Sequence, residues 1–427
     1  MTSTSFKVVI VGAGIGGMAA AVGCGLAGHE VLVLEDAPAI GEVGAGLQVA
    51  PNMMRILSRW GLSSTIISDS VSLTSVHIRR WANGALLGVA PVNKSFGDQY
   101  VIHRADLHRA LYDRAIALPN VEVRVNSRVM TCDFDAPSVT LASGEVIKAD
   151  IVFGADGIKS RLRQQMLGLE KDEPIPTGDA AFRVVLPRSA MEHDPDLREL
   201  IDSPLGTRWI GPYRHIMAYP IKAHKLYNMV LLHPDDIDSE ESWTAKGPKS
   251  DLVNMYSGWD PILQKIFALI PEEEVLRWKL CTHRPLPTWI KGKVALLGDA
   301  CHPMLPYVAQ GAAQAVEDAA MLSHLLSSSS TTRNNIPGVL KLYETARKAR
   351  AEAIQGTANG NRDNLHMPDG KEQQERDRKF AQVFSGGENP DKWGDPAQQR
   401  FIWGWDAEKV ASEVLRERSR EEVRSQL

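Results

Sequence analysis

The sequence has few cysteines, and their spacing forms neither a disulfide framework nor a metal site. The four cysteines are scattered, and none belongs to a C-x-x-C pair: Cys24, Cys132, Cys281 and Cys301. Scattered cysteines favour a reducing compartment and argue against structural zinc. We therefore predict a cytoplasmic protein without a metal centre.

The chain also lacks an excess of charge of one sign and a long apolar segment. Lysine and arginine number 48 against 52 acidic residues, which gives a formal net charge of -4. This balance gives nucleic-acid binding no electrostatic support. No apolar run approaches the roughly 20 residues that cross a bilayer, and a strand predicted from Lys7 leaves little room for a signal peptide. We expect neither a nucleic-acid partner nor a membrane anchor.

The N-terminus carries a glycine turn between a strand and a helix. The β-branched residues at 8–11 predict a buried strand, and the small residues after the turn predict a helix. Gly12 would allow the tight turn, Gly14 the close approach of a pyrophosphate, and Gly17 the close packing of helix on strand. Glu35, at the end of the next strand, would accept hydrogen bonds from a ribose. The pattern predicts dinucleotide binding, and the alternative is an ordinary turn with a solvated Glu35.

The rest of the chain predicts an α/β protein of more than one domain, since 427 residues exceed a single core. Residues 1–177 and 291–355 alternate strands and helices and would form a Rossmann-like nucleotide-binding domain. Residues 178–290 are rich in alternating strands, which predicts an inserted domain on a mostly antiparallel sheet. Residues 356–427, called the tail below, predict helices. Their tryptophans would anchor the tail to the body, and the alternative is a partner-binding surface.

Further candidates for ligand contact lie at turns. The glycines around Gly46 predict a backbone lying against a flat ligand. Arg104 stands between a predicted strand and a helix, where a guanidinium reaches a phosphate or ribose, and the alternative is a surface ion pair. Asp156 and Asp299 lie in glycine turns that each follow an apolar strand.

Three motifs together resemble those of a known family: residues 12–17 with Glu35, residues 154–157 and residues 298–300. In this order they are similar to the fingerprints of class A flavoprotein monooxygenases, the FAD-dependent aromatic hydroxylases with the p-hydroxybenzoate hydroxylase fold. The resemblance covers nearly the whole chain and is strongest to salicylate hydroxylases and their fungal relatives. It implies a monooxygenase that inserts one atom of O2 into a phenolic, salicylate-like acid through a flavin C4a-hydroperoxide.

The resemblance also implies roles for residues of the cofactor site. Glu35 would bind the adenosine ribose, Arg104 the ribose–phosphate region, and Asp299 the ribityl chain. Asp156 would serve both FAD positioning and NADH or NADPH engagement. The other implied FAD contacts are Gly12, Gly14, Gly17, Gly46, Gln48, Gly311 and Ala312. Because the chain has a single glycine-rich fingerprint, we expect NADH or NADPH to bind transiently as a co-substrate.

Catalytic contacts with the substrate are predicted at two places. Pro306 and Tyr307 would lie over the flavin. His215 would accept or relay a phenolic proton, since its unperturbed pKa lies near ~6.5, and the alternative is that it only packs in the sheet. Tyr219, four residues further on, would share the same face of a strand. The predicted substrate-binding residues are Arg183 and Tyr213, with Arg183 as the partner of a carboxylate.

The identity of the substrate stays open at this stage. Some bacterial relatives have histidine where this chain has Gln48, which cannot act as a base but can hydrogen-bond a substrate or the flavin. A second hypothesis is therefore a fungal tailoring monooxygenase that epoxidises, dearomatises or hydroxylates a larger polyketide or indole. A third is a non-catalytic FAD-binding redox sensor. The expected partners are a small aromatic substrate and O2, and the expected assembly is a monomer or homodimer.

Overall fold

The computed structural model describes residues 4–41, 44–235, 245–272, 275–383 and 387–426. Glu42 and Val43, inside the glycine-rich segment before Gly46, lie outside these residues. The strands are β1 (Lys7–Val11), β2 (Glu30–Leu34), β3 (Gly46–Val49), β4 (Val71–Leu73), β5 (Ser75–Arg80), β6 (Leu86–Pro91), β7 (Gln99–His103), β8 (Val121–Arg124), β9 (Val129–Asp133), β10 (Ser138–Leu141), β11 (Val146–Lys148), β12 (Ile151–Gly154), β13 (Ile175–Pro187), β14 (Leu205–Gly211), β15 (Arg214–Ile221), β16 (Leu226–Pro234), β17 (Lys246–Gly247), β18 (Val275–Thr282), β19 (Ile290–Lys291) and β20 (Val294–Leu296).

The helices include those expected from the sequence, and the longest of them extends well beyond its expected end. They are α1 (Ile15–Leu26), α2 (Pro51–Arg59), α3 (Ser63–Ser68), α4 (Arg104–Ile116), α5 (Arg161–Leu167), α6 (Arg188–Met191), α7 (Pro195–Asp202), α8 (Lys249–Met255), α9 (Pro261–Ala268), α10 (Gly311–Leu326), α11 (Ile336–Leu365), α12 (Lys371–Gln382), α13 (Pro396–Trp403) and α14 (Ala407–Gln426). Short 3-10 helices lie at Lys94–Phe96, Gly298–Ala300 and Pro306–Val308.

The nucleotide-binding part is built on a six-stranded sheet of order β19-β20-β12-β1-β2-β8. Neighbouring strands run parallel except at the β19 edge. Strands of such a sheet are covered on both faces, which explains the continuous apolar run of β1. The alanines and glycines of α1 let this helix pack closely against α10. As a result, the N-terminal ends of both helices line one cavity.

The second sheet has eight strands in the order β17-β18-β13-β16-β15-β14-β5-β6. It is antiparallel apart from the parallel pair β14 and β5. Two of its strands, β5 and β6, come from residues 75–91. The expected insertion at 178–290 therefore supplies six strands of this sheet, and the β5–β6 hairpin from an earlier part of the chain completes it through the parallel pairing of β5 with β14.

The tail begins inside a helix, not after one. The 30-residue helix α11 runs through the boundary expected at residue 356, since Gly356 keeps a helical conformation and forms no turn there. Trp393 and Trp403 are buried at 4% and 2% exposure and pack edge-on with ring centroids 5.7 Å apart. They hold the tail against the body, as their apolar rings predict.

Candidate active site

A cleft of about 730 Å³ lies at the carboxyl end of the parallel sheet, where β1 turns into α1. Gly12 has a φ of +100°, and a Cβ there would lie 2.4 Å from the backbone oxygen of Ala155. A Cβ on Gly17 would lie 1.9 Å from the oxygen of Gly12. Gly14, in contrast, has open space within 4 Å of its Cβ position and lines the cleft. The three glycines therefore have the turn, packing and approach roles that their spacing predicts.

Glu35 lies on the wall of this cleft and holds the turn in place. Its Oε2 accepts a hydrogen bond from the backbone N–H of Ala13 at 2.8 Å, and its Oε1 accepts one from Ala37 at 2.9 Å. A carboxylate has further lone pairs, so both oxygens can still accept hydrogen bonds from a ribose. Arg104, the first residue of α4, lines the same cleft.

Asp156 lies on the opposite wall and fixes the start of α5. Its Oδ1 accepts from the Ser160 hydroxyl at 2.5 Å, and its Oδ2 accepts from the backbone N–H of Leu162 at 3.1 Å. Burial raises the pKa of Asp156, and these hydrogen bonds act in the opposite direction. The structure thus gives this carboxylate a capping function, next to the cleft that Asp156 also lines.

A second cavity of about 360 Å³ continues from the cleft to the eight-stranded sheet. The two cavities share Gly14, Arg104, Ala155 and Gly157, so that they form one path. The sequence-predicted residues that line the second cavity are Gly14, Gly46, Gln48, Arg104, Arg183, His215, Tyr219, Asp299, Pro306, Gly311 and Ala312. Residues from both sheets and from α10 therefore meet at one place.

The positive end of α10 points into this cavity. Gly311 and Ala312 begin a 16-residue helix, whose first N–H groups carry partial positive charge and stabilise a negative charge nearby. Asp299 lies beside them in the 3-10 helix that follows β20. Burial raises the pKa of the Asp299 carboxyl, whereas the nearby His302 and Arg104 side chains act to lower it.

Gly46 connects the nucleotide-binding part to the second sheet. Its backbone N–H donates to Oδ1 of Asn228 on β16 at 2.6 Å. A Cβ at this position would lie 2.6 Å from both Asn228 and Tyr219. The absence of a side chain at Gly46 is therefore required by close packing between β3, which belongs to a three-stranded sheet of order β3-β7-β4, and the eight-stranded sheet.

The cavity wall on the eight-stranded sheet is strongly polar. The Arg183 guanidinium stacks 4.1 Å above the Trp278 ring, and burial lowers its pKa to about 10. Tyr219 is buried near Arg183, and burial raises the pKa of its hydroxyl. Arg208 on β14 also lines the cavity, and its guanidinium is paired with the Asp391 carboxylate of the tail. An anionic group in this cavity would meet two buried cations.

Arg208 was missed by sequence reasoning. Its Nε atom is buried without a hydrogen-bond partner among the described residues. The available sequence feature was a cation within a strand that is otherwise apolar, next to Trp209. Because buried arginines are rare unless they are paired, an arginine at such a position indicates a candidate binding residue.

His215 lines the cavity and is hydrogen-bonded from behind by a second histidine. Its Nδ1 lies 2.8 Å from Nε2 of His366, at the end of α11. Burial, together with the neighbouring His366 and Arg208, holds the pKa of His215 well below its usual value. Burial also lowers the pKa of His366 to about 4. Both imidazoles are therefore neutral at pH 7, and when Nδ1 of His215 carries the hydrogen of this contact, its Nε2 can accept a hydrogen bond.

Two of the residues that were expected to contact flavin or substrate, Tyr307 and Tyr213, do not line the second cavity. Tyr307 is buried, and its hydroxyl donates to Oδ2 of Asp179 at 2.5 Å, which turns the ring away from the cavity that Pro306 lines. Tyr213 is 59% exposed at the turn between β14 and β15, with a φ of +60°. These positions argue against the expected contact of Tyr307 and Tyr213 with flavin or substrate. A turn and a 3-10 helix set side-chain directions that strand alternation does not predict.

The combined path fits FAD along its length. Gly14 leaves room for a pyrophosphate at the N-terminus of α1, Glu35 can meet the ribose, and the start of α10 faces the region expected to hold the flavin ring. Among the described residues, no helix is both long enough and apolar enough to span a membrane.

Comparisons with known proteins agree with this fit. The family described as FAD binding domain matches residues 5–358. The FAD-dependent monooxygenase atnJ of an Arthrinium species is 41% identical over 408 residues, which cover 96% of each chain. The 3-hydroxybenzoate 6-hydroxylase 1 of Aquipseudomonas alcaligenes is 34% identical over 363 residues, which cover 82% of this chain and 86% of that one. A salicylate hydroxylase substrate complex has the same fold, with a TM-score of 0.79 and 24% identity over 96% and 97% of the two chains.

Fold and site define an FAD-dependent monooxygenase of the aromatic hydroxylase type. The chain belongs to the FAD binding domain family that matches residues 5–358. The expected fold class, family and FAD cofactor are confirmed.

Proposed function

We propose that this enzyme inserts one oxygen atom of O2 into a small aromatic acid that carries a hydroxyl group, with NADH or NADPH as the reductant. The charge of the second cavity carries this proposal. Among the described residues that line it, Arg104, Arg183 and Arg208 are cationic and Asp299 is anionic; the Asp391 carboxylate behind the wall balances Arg208, so Arg104 and Arg183 supply the excess positive charge. Such a wall favours an anionic ligand. A relative that is named for 3-hydroxybenzoate supports the same class of substrate.

The size of the cavity also supports a small substrate. Its volume of about 360 Å³ is near the lower end of ligand pockets, about 300–1,000 Å³. Part of this space has to hold the flavin ring. A further cavity of about 140 Å³ adjoins the second cavity at Arg183 and Pro306, and the two together offer space for a single aromatic ring beside the flavin.

A second candidate is oxidation of a larger polyketide or indole substrate by the same cofactor. The chain is 41% identical to atnJ, whose name gives no substrate, and 34% identical to the 3-hydroxybenzoate hydroxylase, so identity does not favour a small aromatic acid. Because substrate choice depends on the shape of the pocket, activity measurements with both classes of substrate are needed to separate the two candidates.

Reduced FAD, when bound, supplies the activation of O2, and the chain's own residues prepare the substrate. The arginines Arg183 and Arg208 hold the carboxylate, which orients the ring. The neutral imidazole of His215 accepts the phenolic proton, which makes the ring more electron-rich. Met217 and Leu232 line the cavity with apolar groups and exclude water.

The first test mixes the purified, FAD-loaded protein with NADH or NADPH in air, with and without salicylate or 3-hydroxybenzoate. We expect one of the acids to stimulate cofactor oxidation and to yield a product that carries one oxygen atom from O2, with loss of CO2 where the carboxyl-bearing carbon is hydroxylated. The measurements are absorbance at the cofactor band and mass spectrometry of the products with ¹⁸O2.

Each other outcome has a defined meaning. Stimulated oxidation that yields only hydrogen peroxide would show that the acid binds but is not the substrate. Stimulation by larger polyketides or indoles alone would establish the tailoring candidate. FAD binding without turnover on any aromatic compound would favour a redox sensor. The cytoplasmic location and the monomeric or homodimeric state stay predictions of the sequence.

A further inference from the structure

The tail reaches the second cavity from behind. Three polar side chains that line this cavity each have a hydrogen bond or ion pair to a tail residue, whereas the cavity-lining residues of the described chain include no residue beyond 355. The pairs are His366 with His215, Asp391 with Arg208, and Trp393 with Gln48. The tail therefore contacts the side chains that a substrate would meet.

The contact between Trp393 and Gln48 determines which way the Gln48 amide faces. The indole N–H of Trp393 donates to Oε1 of Gln48 at 3.0 Å. An indole nitrogen is a donor only, so the atom of Gln48 that faces it has to be the oxygen. The side-chain amide of Gln99 donates to the same oxygen at 3.0 Å. Because a carboxamide is planar, its NH2 group then points away from both donors, on the side where Gln48 lines the cavity.

The loop that carries Trp393 is itself fixed in place. Oδ1 of Asp391 accepts from the side-chain amide of Asn361 at 3.0 Å and from the backbone N–H of Trp393 at 3.1 Å. The backbone N–H of Lys392 donates back to Oδ1 of Asn361 at 2.9 Å. The Trp393 ring packs edge-on against Trp403. These contacts tie the loop to α11 and leave the indole one orientation.

We propose that Trp393 is a positioning residue for substrate recognition, which turns the Gln48 carboxamide so that its NH2 group donates to an oxygen of the bound aromatic acid. This inference rests on the proposed function. The group that Gln48 would recognise is a substrate oxygen that accepts a hydrogen bond on the Gln48 side of the cavity. A substrate with a donor at that place would leave two donors facing each other and would be rejected.

The test is a double-mutant cycle on the FAD-loaded protein. Salicylate and 3-hydroxybenzoate are titrated by calorimetry into the wild type, Trp393→Phe, Gln48→Leu and the double variant. We expect each single variant to raise the Kd of the bound acid by about three- to tenfold, as for loss of one hydrogen bond. The double variant should be no weaker than Gln48→Leu alone, because both residues act through one contact. If Trp393 had only a structural role, the loss of binding free energy in Trp393→Phe would instead add to the loss in Gln48→Leu.

Two further variants separate the hydrogen bond from packing and from folding. Trp403→Phe removes the same ring volume from the same aromatic pair but leaves the Trp393 N–H in place, and we expect a Kd within twofold of wild type. Gln48→Glu keeps an acceptor for Trp393 but replaces the cavity-facing donor by an acceptor. It should weaken binding of the acid more than tenfold, and it tests the proposal even if Trp393→Phe does not fold.

An unchanged Kd in a folded Trp393→Phe variant would overturn the inference, as would an unchanged Kd in Gln48→Glu, and either result would leave the proposed function intact. Additive effects in the double variant would also overturn it. Absence of binding of either acid to the wild type would refute the proposed function, and the inference would fail with it.

Discussion

His215 is the residue whose chemistry depends most on its surroundings. An isolated histidine loses half of its neutral form near pH ~6.5. In this fold, burial and the His366 contact lower the pKa of His215 well below that value. The neutral form, which is the one that accepts a proton, therefore persists into mildly acidic solution.

We expect a corresponding pH dependence of product formation. With saturating substrate, the rate should stay level from about pH 8 to 6 and fall only on further acidification, because protonation of His215 occurs at lower pH. His215→Gln should lower the rate by about 10²–10⁴-fold, the usual contribution of a general base. Single-turnover measurements from pH 5 to 8 check both points. A wild-type rate that halves near pH 6.5 would contradict a buried, neutral His215.

Several residues of the site follow from local sequence alone, and others do not. Gly12, Gly14 and Gly17 were recognisable because a turn between neighbouring elements imposes its own geometry. Trp393 and Gln48 are 345 residues apart, and Arg208 and Asp391 are 183 apart. No local pattern specifies such pairs, because they exist only once the tail packs on the second sheet.

At the scale of elements, the β1–α1 unit contains two glycines with different structural reasons: backbone packing at Gly17 and open space in the cleft at Gly14. A Cβ at Gly17 would overlap the backbone of the same turn, whereas a Cβ at Gly14 would enter only the open cleft. The first position is thus required for folding and the second for the ligand.

This difference predicts opposite behaviour for two similar variants. Gly17→Ala should lower the free energy of unfolding of the FAD-free protein by about 3 kcal/mol or more, since backbone atoms have to move. Gly14→Ala should leave that free energy within about 1 kcal/mol of wild type but raise the Kd for FAD by about 10- to 100-fold through crowding of the pyrophosphate. Urea unfolding and FAD titration of the apoprotein provide the two measurements. Equal FAD affinity in Gly14→Ala and wild type would show that the cofactor does not approach this turn.

At the scale of the whole molecule, a buried charge network joins α10 to the tail. The Arg347 guanidinium contacts Glu317 at 2.5 Å and Asp318 at 2.8 Å, and all three side chains are fully buried. Arg350 contacts Glu317 at 2.9 Å and donates to the backbone oxygen of Ile402 in the tail at 2.8 Å. The helix that faces the expected flavin position is thus held through the same network as the tail.

Removal of one charge from this network should be strongly destabilising. Arg347→Met leaves two buried carboxylates with fewer partners, and we expect a loss of about 3–5 kcal/mol of unfolding free energy. The matched control is Arg109→Met, which removes an exposed pair with Asp113 on α4 and should change the free energy by at most about 1 kcal/mol. Chemical denaturation of the FAD-loaded protein measures both. Similar small losses in the two variants would mean that the network does not hold α10.

The sequence by itself determined the class of this protein, because the turns that bind a dinucleotide are local structures. Spacing of Gly12, Gly14, Gly17 and Glu35 was sufficient for dinucleotide binding, and the resemblance of this motif and the two later glycine turns to a known family implied FAD. The tertiary structure decided the rest: which strands complete the second sheet, that Tyr307 and Tyr213 face away from the cavity, and that tail residues hold its polar wall. These outcomes depend on packing between distant segments, and side-chain direction at such contacts is set by neighbours that are not adjacent in the chain.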